Sequence, residues 1–234
     1  MKKFYHLVSI TPQAQGYAVL LDGKPVKTQG GQVLLSPTEE IAMLVMREWM
    51  AQVDVIDPQS MPVTQILVTH LDRVVAQRPA LQKELLGYLD TDLLCYRADN
   101  PPEAGHAQAL RWDPVLKWFE EHFAIKLKTT NSLSPIRQDE KAHQAVETYV
   151  LNLPDTIFTV LQILTAETGS LLLALAFMEG QVSPADAFEV AQVDEEFKAG
   201  LYNEDKYGRA PDTEKHQKSL RLSLQAAHDF LDAL

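Results

Sequence analysis

The chain has 234 residues, 46% hydrophobic and 23% charged, with 21 basic against 32 acidic side chains and a net charge of −11. That length holds one large domain or two modest ones, each with a real core, and the acidic balance argues against unspecific binding to nucleic acid or to an anionic membrane. A single cysteine, Cys95, excludes an intramolecular disulfide and a cysteine-based zinc site. No long apolar run follows Met1-Lys2-Lys3-Phe4-Tyr5-His6, so no signal peptide is expected and the expected setting is reducing and cytoplasmic.

The first 35 residues carry strand signals. Phe4–Ile10 and Gly16–Leu21 are strand candidates, and Asp22-Gly23 suits a type I′ hairpin turn, in which both central residues have positive φ. Lys24–Thr28 returns, with Pro25 confining it to an edge or a strand start. Gly30-Gly31 turns the chain into a last short strand, Gln32–Leu35, to complete a small antiparallel meander. Ser36-Pro37-Thr38-Glu39 reads as a capping box opening a helix that covers the sheet. Asp57-Pro58 marks its exit, so the expected division is a β-rich domain over residues 1–58 and a helical domain over 59–234, an α+β protein.

From residue 62 onward the spacing is helical. Val63, Ile66, Leu67, His70, Leu71, Val74 and Val75 form one apolar face. Past Pro79, Leu81, Leu85, Leu89 and Leu93 predict a second helix ending near Arg97. His106–His122 is a third, although Asp113-Pro114 also suits a helix start at 114. Ile125–Thr129 alternates like a strand that could rejoin the sheet. Helices follow over 139–151 and 157–166. Leu171–Met178 is apolar throughout, capped by Ser170 and ended by Gly180, and too short to span a bilayer. An all-apolar helix has no solvent face, so it belongs at the centre of a bundle. Ser183-Pro184 opens a helix carrying Phe188, Ala191 and Phe197. A last helix starts near Asp212, with Leu220, Leu224, Ala227, Leu231 and Leu234 on one face. No internal repeat is present.

Catalytic signatures are missing. There is no Gly-x-x-x-x-Gly-Lys-Ser/Thr, Gly-x-Gly-x-x-Gly, His-Glu-x-x-His or Gly-x-Ser-x-Gly sequence. His70, Asp72, Asp90 and Asp92 are the residues from which a metal-dependent hydrolase would be built, but His70 and Asp72 diverge on one helix, as do Asp90 and Asp92. Asp92 is instead placed to hold Arg97 or a helix end, and Cys95 sits in an apolar stretch that suits packing. No metal, cofactor or catalytic residue is assigned. The acids are unevenly spread: residues 131–200 carry 3 basic and 11 acidic side chains. Within that block Asp194-Glu195-Glu196 repel one another and serve no packing purpose. With Phe197 and Tyr202-Asn203-Glu204-Asp205 they combine aromatic anchors with selective charge, as protein interfaces do. The expected partner-binding residues are therefore Asp194, Glu195, Phe197, Tyr202, Glu204 and Asp205. A general acidic adaptor with another client fits the same features.

Several segments together resemble the Atp12 assembly chaperones of F1 ATP synthase. They are Phe4-Tyr5, Leu21-Asp22-Gly23-Lys24-Pro25-Val26-Lys27-Thr28, Glu48-Trp49-x-x-Gln52, Met61-Pro62-x-Thr64, Thr91-Asp92-Leu93-Leu94-Cys95-Tyr96-Arg97, Trp112-Asp113-Pro114 and Gly169-Ser170, in family order. Gln29 stands where the family has Pro, and Lys198 and Tyr202-Asn203 stand where it favours Gln and Trp-Gly. The resemblance implies a small β-rich domain before a helical one, and a non-catalytic role; a monomer without cofactor is expected. It implies binding of the unassembled F1 α subunit until the β subunit replaces the chaperone. It also implies a required acid near the C-terminus, for which Glu195 or Asp194 is the matching residue.

Overall fold

The structure, a computed structural model, describes residues 1–132, 134–202 and 208–234. It is α+β, with a small antiparallel sheet followed by helices. The residues gather into two compact units: Met1–Pro79 with Pro154–Val160 and Gln225–Leu234, and Ala80–Leu153 with Leu161–Leu224.

In the first unit, β1 (Val8–Gln13) pairs antiparallel with β2 (Gly16–Leu21), from Val8 opposite Leu21 to Gln13 opposite Gly16. The strand starts later than its apolar run because the Asp22 carboxylate accepts from the His6 and Leu7 amides at 3.0 and 2.8 Å. Asp22 and Gly23 have φ of 48° and 79°, the positive pair that the I′ turn requires. The Gly30-Gly31 turn returns the chain as expected, with Lys27 bridging Val33 antiparallel and the Leu34 amide donating to the Val26 carbonyl at 2.9 Å, but the strands β3 (Lys24–Pro25) and β4 (Leu35–Ser36) are short. Both pair with β2, β3 at Leu20 and Leu21 and β4 at Tyr17 and Ala18.

Helix α1 (Glu39–Met50) is capped by Thr38, whose hydroxyl accepts from the Ile41 amide at 3.2 Å. Ser36, the expected cap, belongs to β4 and donates its hydroxyl to the Thr38 carbonyl at 2.6 Å. Glu48 caps a different helix, α2 (Pro62–Thr69): its carboxylate accepts from the Val63 and Thr64 amides at 2.7 and 2.8 Å and from the Thr64 hydroxyl at 2.7 Å. A carboxylate there answers both the orphan amides and the positive end of the helix dipole. Burial raises its pKa against the opposing pull of those donors. Buried Gln52 closes the connection, accepting from the Asp57 amide at 2.8 Å and donating to the Glu48 carbonyl and the Ser60 hydroxyl, both at 3.0 Å. After α2 a π-helical turn, His70–Val74, inserts an extra residue and rotates the apolar face. Val63, Ile66, Leu67 and Val74 stay buried, while Val75 is exposed.

In the second unit, α3 (Val75–Gly87), which crosses from the first unit, bends at Gln77 and stops at Gly87, well short of Arg97. Asp92 is extended and begins a 3₁₀ turn, Leu93–Cys95. α4 (Pro102–Phe123) continues through Pro114, so Asp113 is no cap; it pairs with Arg97 at 2.6 Å, and the Arg97 guanidinium lies 5.2 Å from the Trp112 ring centroid. Residues 125–129 form no strand; the chain then makes one parallel bridge, Thr130 with Tyr96. α5 (Glu140–Leu151) and α6 (Asp155–Thr168) lead to α7 (Leu171–Met178), whose residues 171–177 are all buried. Ser170 accepts from the Leu173 amide at 3.0 Å. At the other end the Gly180 amide donates to Phe177 and the Gln181 amide to Ala176, a Schellman closure that needs the left-handed φ of 68° at Gly180. α4 and α8 (Pro184–Ala191) pack on α7. The chain breaks at Gln192 before α9 (Val193–Leu201), so Phe188 and Phe197 lie on separate helices. α10 (Pro211–Asp232) buries Leu220 and Leu224 in this unit, and Ala226, Ala227 and Phe230 in the first; Leu234 is exposed.

Candidate functional site

Asp92, fully buried, is the hub of the second unit. Its carboxylate accepts from the Leu94 amide (3.0 Å), the Ser170 hydroxyl (2.7 Å) and the Leu172 amide (3.0 Å), so it fastens the 92–97 segment to the N-terminus of α7. The Leu93 amide adds a bond to the Gly169 carbonyl at 3.1 Å. Burial pushes its pKa up to about 6 against the pull of those donors. The helix end that the sequence offered Asp92 is thus its partner, and Arg97 goes to Asp113.

The other residues weighed for metal chemistry are likewise engaged separately. His70, half-buried and lowered in pKa chiefly by that burial, faces the Thr159 hydroxyl through Nδ1 at 3.3 Å. Asp72 accepts from the Thr28 hydroxyl at 2.6 Å and the Gly30 amide at 3.0 Å. Asp90 accepts from the Gln138 amide at 2.8 Å and meets His143 Nε2 at 2.9 Å. Among the described residues no group of three or more His, Cys, Asp and Glu is placed to hold a metal ion. The Cys95 thiol is buried and pushed up to about 12, chiefly by that burial, which makes it a packing group rather than a nucleophile.

The acidic segment is built otherwise. Successive residues of a helix point about 100° apart, and the three carboxylates at the start of α9 go three ways. Asp194, half-buried, accepts from Gln108 Nε2 at 2.8 Å, and Gln108 Oε1 accepts in turn from the Ala98 amide at 2.7 Å. Glu196 takes a bidentate guanidinium from Arg209 (2.8 and 2.6 Å) and a bond from Gln217 at 3.1 Å, and the Arg209 bond is the main cause of its lowered pKa. Glu195 is exposed, and among the described residues its one partner is Lys198 at 2.8 Å, one turn along the same helix. That bond raises the Lys198 pKa. Phe197 is half-buried and Tyr202, at the end of α9, is 72% exposed. Glu204 and Asp205 lie outside the described residues.

Beside α9 runs a groove of about 500 Å³ with Leu110 and Arg111 of α4, Phe188 and Glu189 of α8, Phe197 of α9 and Arg221 of α10 in its walls. None of the cations was legible from local sequence: Arg111, Arg209 and Arg221 come from distant segments. The arrangement offers a charged helix face and a mixed groove.

A family model, ATP12 chaperone protein, matches residues 2–120. The crystal structure of Atp12 from Paracoccus denitrificans superposes with a TM-score of 0.84 at 33% identity, covering 99% of this chain and 97% of that one. An Asp-to-Lys mutant of the same protein gives equal values. A chaperone candidate from Agrobacterium tumefaciens superposes with a TM-score of 0.88 at 29% identity, covering 99% of this chain and 85% of that one.

Proposed function

The chain belongs to the ATP12 chaperone family, and from that premise we propose that it binds the unassembled α subunit of F1 ATP synthase and prevents its aggregation until the β subunit takes its place. The observation that carries this reading is the likeness to Paracoccus Atp12 along the whole chain. The physical logic is that an α subunit alone exposes a large face meant for β, and exposed apolar patches of that size aggregate. A chaperone must cover the face and then leave it, and a polar, charge-matched contact of modest area allows that exchange.

The contact includes α9, with Glu195 as its selective charge and Phe197 and Tyr202 as its anchors. Asp194 holds the start of α9 on α4 through Gln108, which makes it a positioning residue for that face. Glu204 and Asp205 extend the acidic stretch in sequence. The protein performs no catalysis, needs no cofactor and works in the cytoplasm; no helix among the described residues is long and apolar enough to cross a membrane.

The test is co-expression with the α and β subunits, followed by pull-down and by light scattering of each subunit alone. Selective capture of α, with its aggregation suppressed in the absence of nucleotide, is the expected result. Capture of neither subunit by a soluble, folded chain would overturn the reading.

A further inference from the structure

Among its described lining residues, the groove beside α9 carries one cation more than it has carboxylates. Three guanidinium groups and two carboxylates line it; Arg111 pairs with Glu189 at 2.5 Å and Arg209 with Glu196 at 2.6 Å. The third, Arg221, lies 3.4 Å from the ring centroid of Phe188; it acts electrostatically on Glu196, whose oxygens are already held by Arg209. Phe188 is 2% exposed, so the guanidinium rests on a fixed floor. A guanidinium stacked on a ring keeps its N–H edge available in the plane, and that fork matches a carboxylate. Leu110, 67% exposed, and half-buried Phe197 supply apolar surface in the same groove.

We propose that this groove is a binding site for a client polypeptide segment in which an apolar side chain, aromatic or leucine, stands next to an aspartate or glutamate. The apolar side chain rests between Leu110 and Phe197, and the carboxylate takes the fork of Arg221. The client as occupant rests on the chaperone reading above; the ligand chemistry rests on charge complementarity and on the groove's apolar walls. Glu195 is not part of this site: it stands about 200° round α9 from Phe197 and does not line the groove, so Arg221 reads an acid on the client independently of Glu195.

The experiment uses the full chain with ¹³C-methyl-labelled leucines and two blocked hexapeptides, Ala-Ala-Phe-Asp-Ala-Ala and its Phe-Asn counterpart. The expected result is a saturable shift of the Leu110 methyl signals by the Phe-Asp peptide. The Phe-Asn peptide binds about tenfold or more weakly, as does the Phe-Asp peptide to Arg221→Gln. Arg221→Lys keeps the charge without the fork and falls between, provided both variants melt as the parent does. No shift at millimolar peptide, equal shifts by both peptides, or the same shift by acetate alone would overturn the proposal. A Leu110 shift that follows protein concentration without peptide would also overturn it, in favour of a second copy of the chain. Capture of the α subunit is measured separately. If the peptide binds and α is not captured, the α-subunit reading fails and the groove chemistry stands.

Discussion

Asp92 shows what a single carboxylate does when it is buried for structural reasons. Three donors converge on it, and Asp92→Ala would leave all three buried without an acceptor. Each such loss costs roughly 1–3 kcal/mol, so a destabilisation of about 3–5 kcal/mol is expected in urea unfolding; a change below about 1 kcal/mol would show that the hub is dispensable. Its pH dependence runs opposite to that of an ordinary surface acid. The folded pKa of about 6 lies above the unfolded value near 4, so the folded state binds the proton more tightly. The stabilising contribution is complete below about pH 4 and is lost as pH rises through about 6. The stability of the parent relative to Asp92→Asn therefore increases from about pH 7.5 to about pH 5, a trend that paired melting curves would check. At the proposed partner face, Lys198 is the only partner of Glu195 among the described residues. Glu195→Lys is expected to weaken α-subunit capture about tenfold at unchanged melting temperature, and Lys198→Ala to strengthen it several-fold by unmasking the acid.

Among the elements, α7 was the most legible from sequence and the most decisive for the fold. Its eight apolar residues, the Ser170 cap and the Gly180 stop are local signals, and each appears in the structure in the expected role. Gly180→Ala forces a Cβ into the left-handed conformation that ends the helix and is expected to cost about 1 kcal/mol in thermal unfolding; an unchanged melting point would mean that the closure relaxes. Elsewhere local signals competed and lost. The Ser36 capping box gave way to Thr38 because β2 recruits Ser36 into the sheet. Asp113-Pro114 looked like a helix start, but Pro114 sits inside α4 and Arg97 claims Asp113. The 125–129 segment had strand alternation but no strand to pair with; only its continuation at Thr130 meets Tyr96.

Over the whole molecule, the segments that carry the family likeness turn out to be internal fasteners. Glu48 caps α2, Gln52 ties the loop after α1, Asp92 caps α7, and the Trp112 indole donates to the Val190 carbonyl at 2.9 Å. The likeness therefore reports the fold first, while the proposed client residues lie on α9, where this chain departs from the family at Lys198 and Tyr202. A charge-read contact by a chain of net charge −11 is screened by salt. Capture of the α subunit is expected to weaken steadily from about 0.05 M to about 0.5 M sodium chloride, followed as the apparent Kd; a constant Kd would place the binding energy in apolar contacts alone.

Features set by residues close in the chain were legible before any coordinates. They include the α+β class, the hairpin turn at Asp22-Gly23, the buried character of α7 and the acidic stretch at 194–196. Periodicity, capping and turn chemistry act over a few residues, so a local reading captures them. Folding in three dimensions settled what those residues meet. It sent the three acids of α9 to Gln108, Lys198 and Arg209, and Asp92 to a helix end 78 residues away. It also brought Leu110, Phe188 and Arg221 to one groove. Such partners are chosen by which buried donors and charges remain unmatched once the core has packed, and that competition is invisible along the chain.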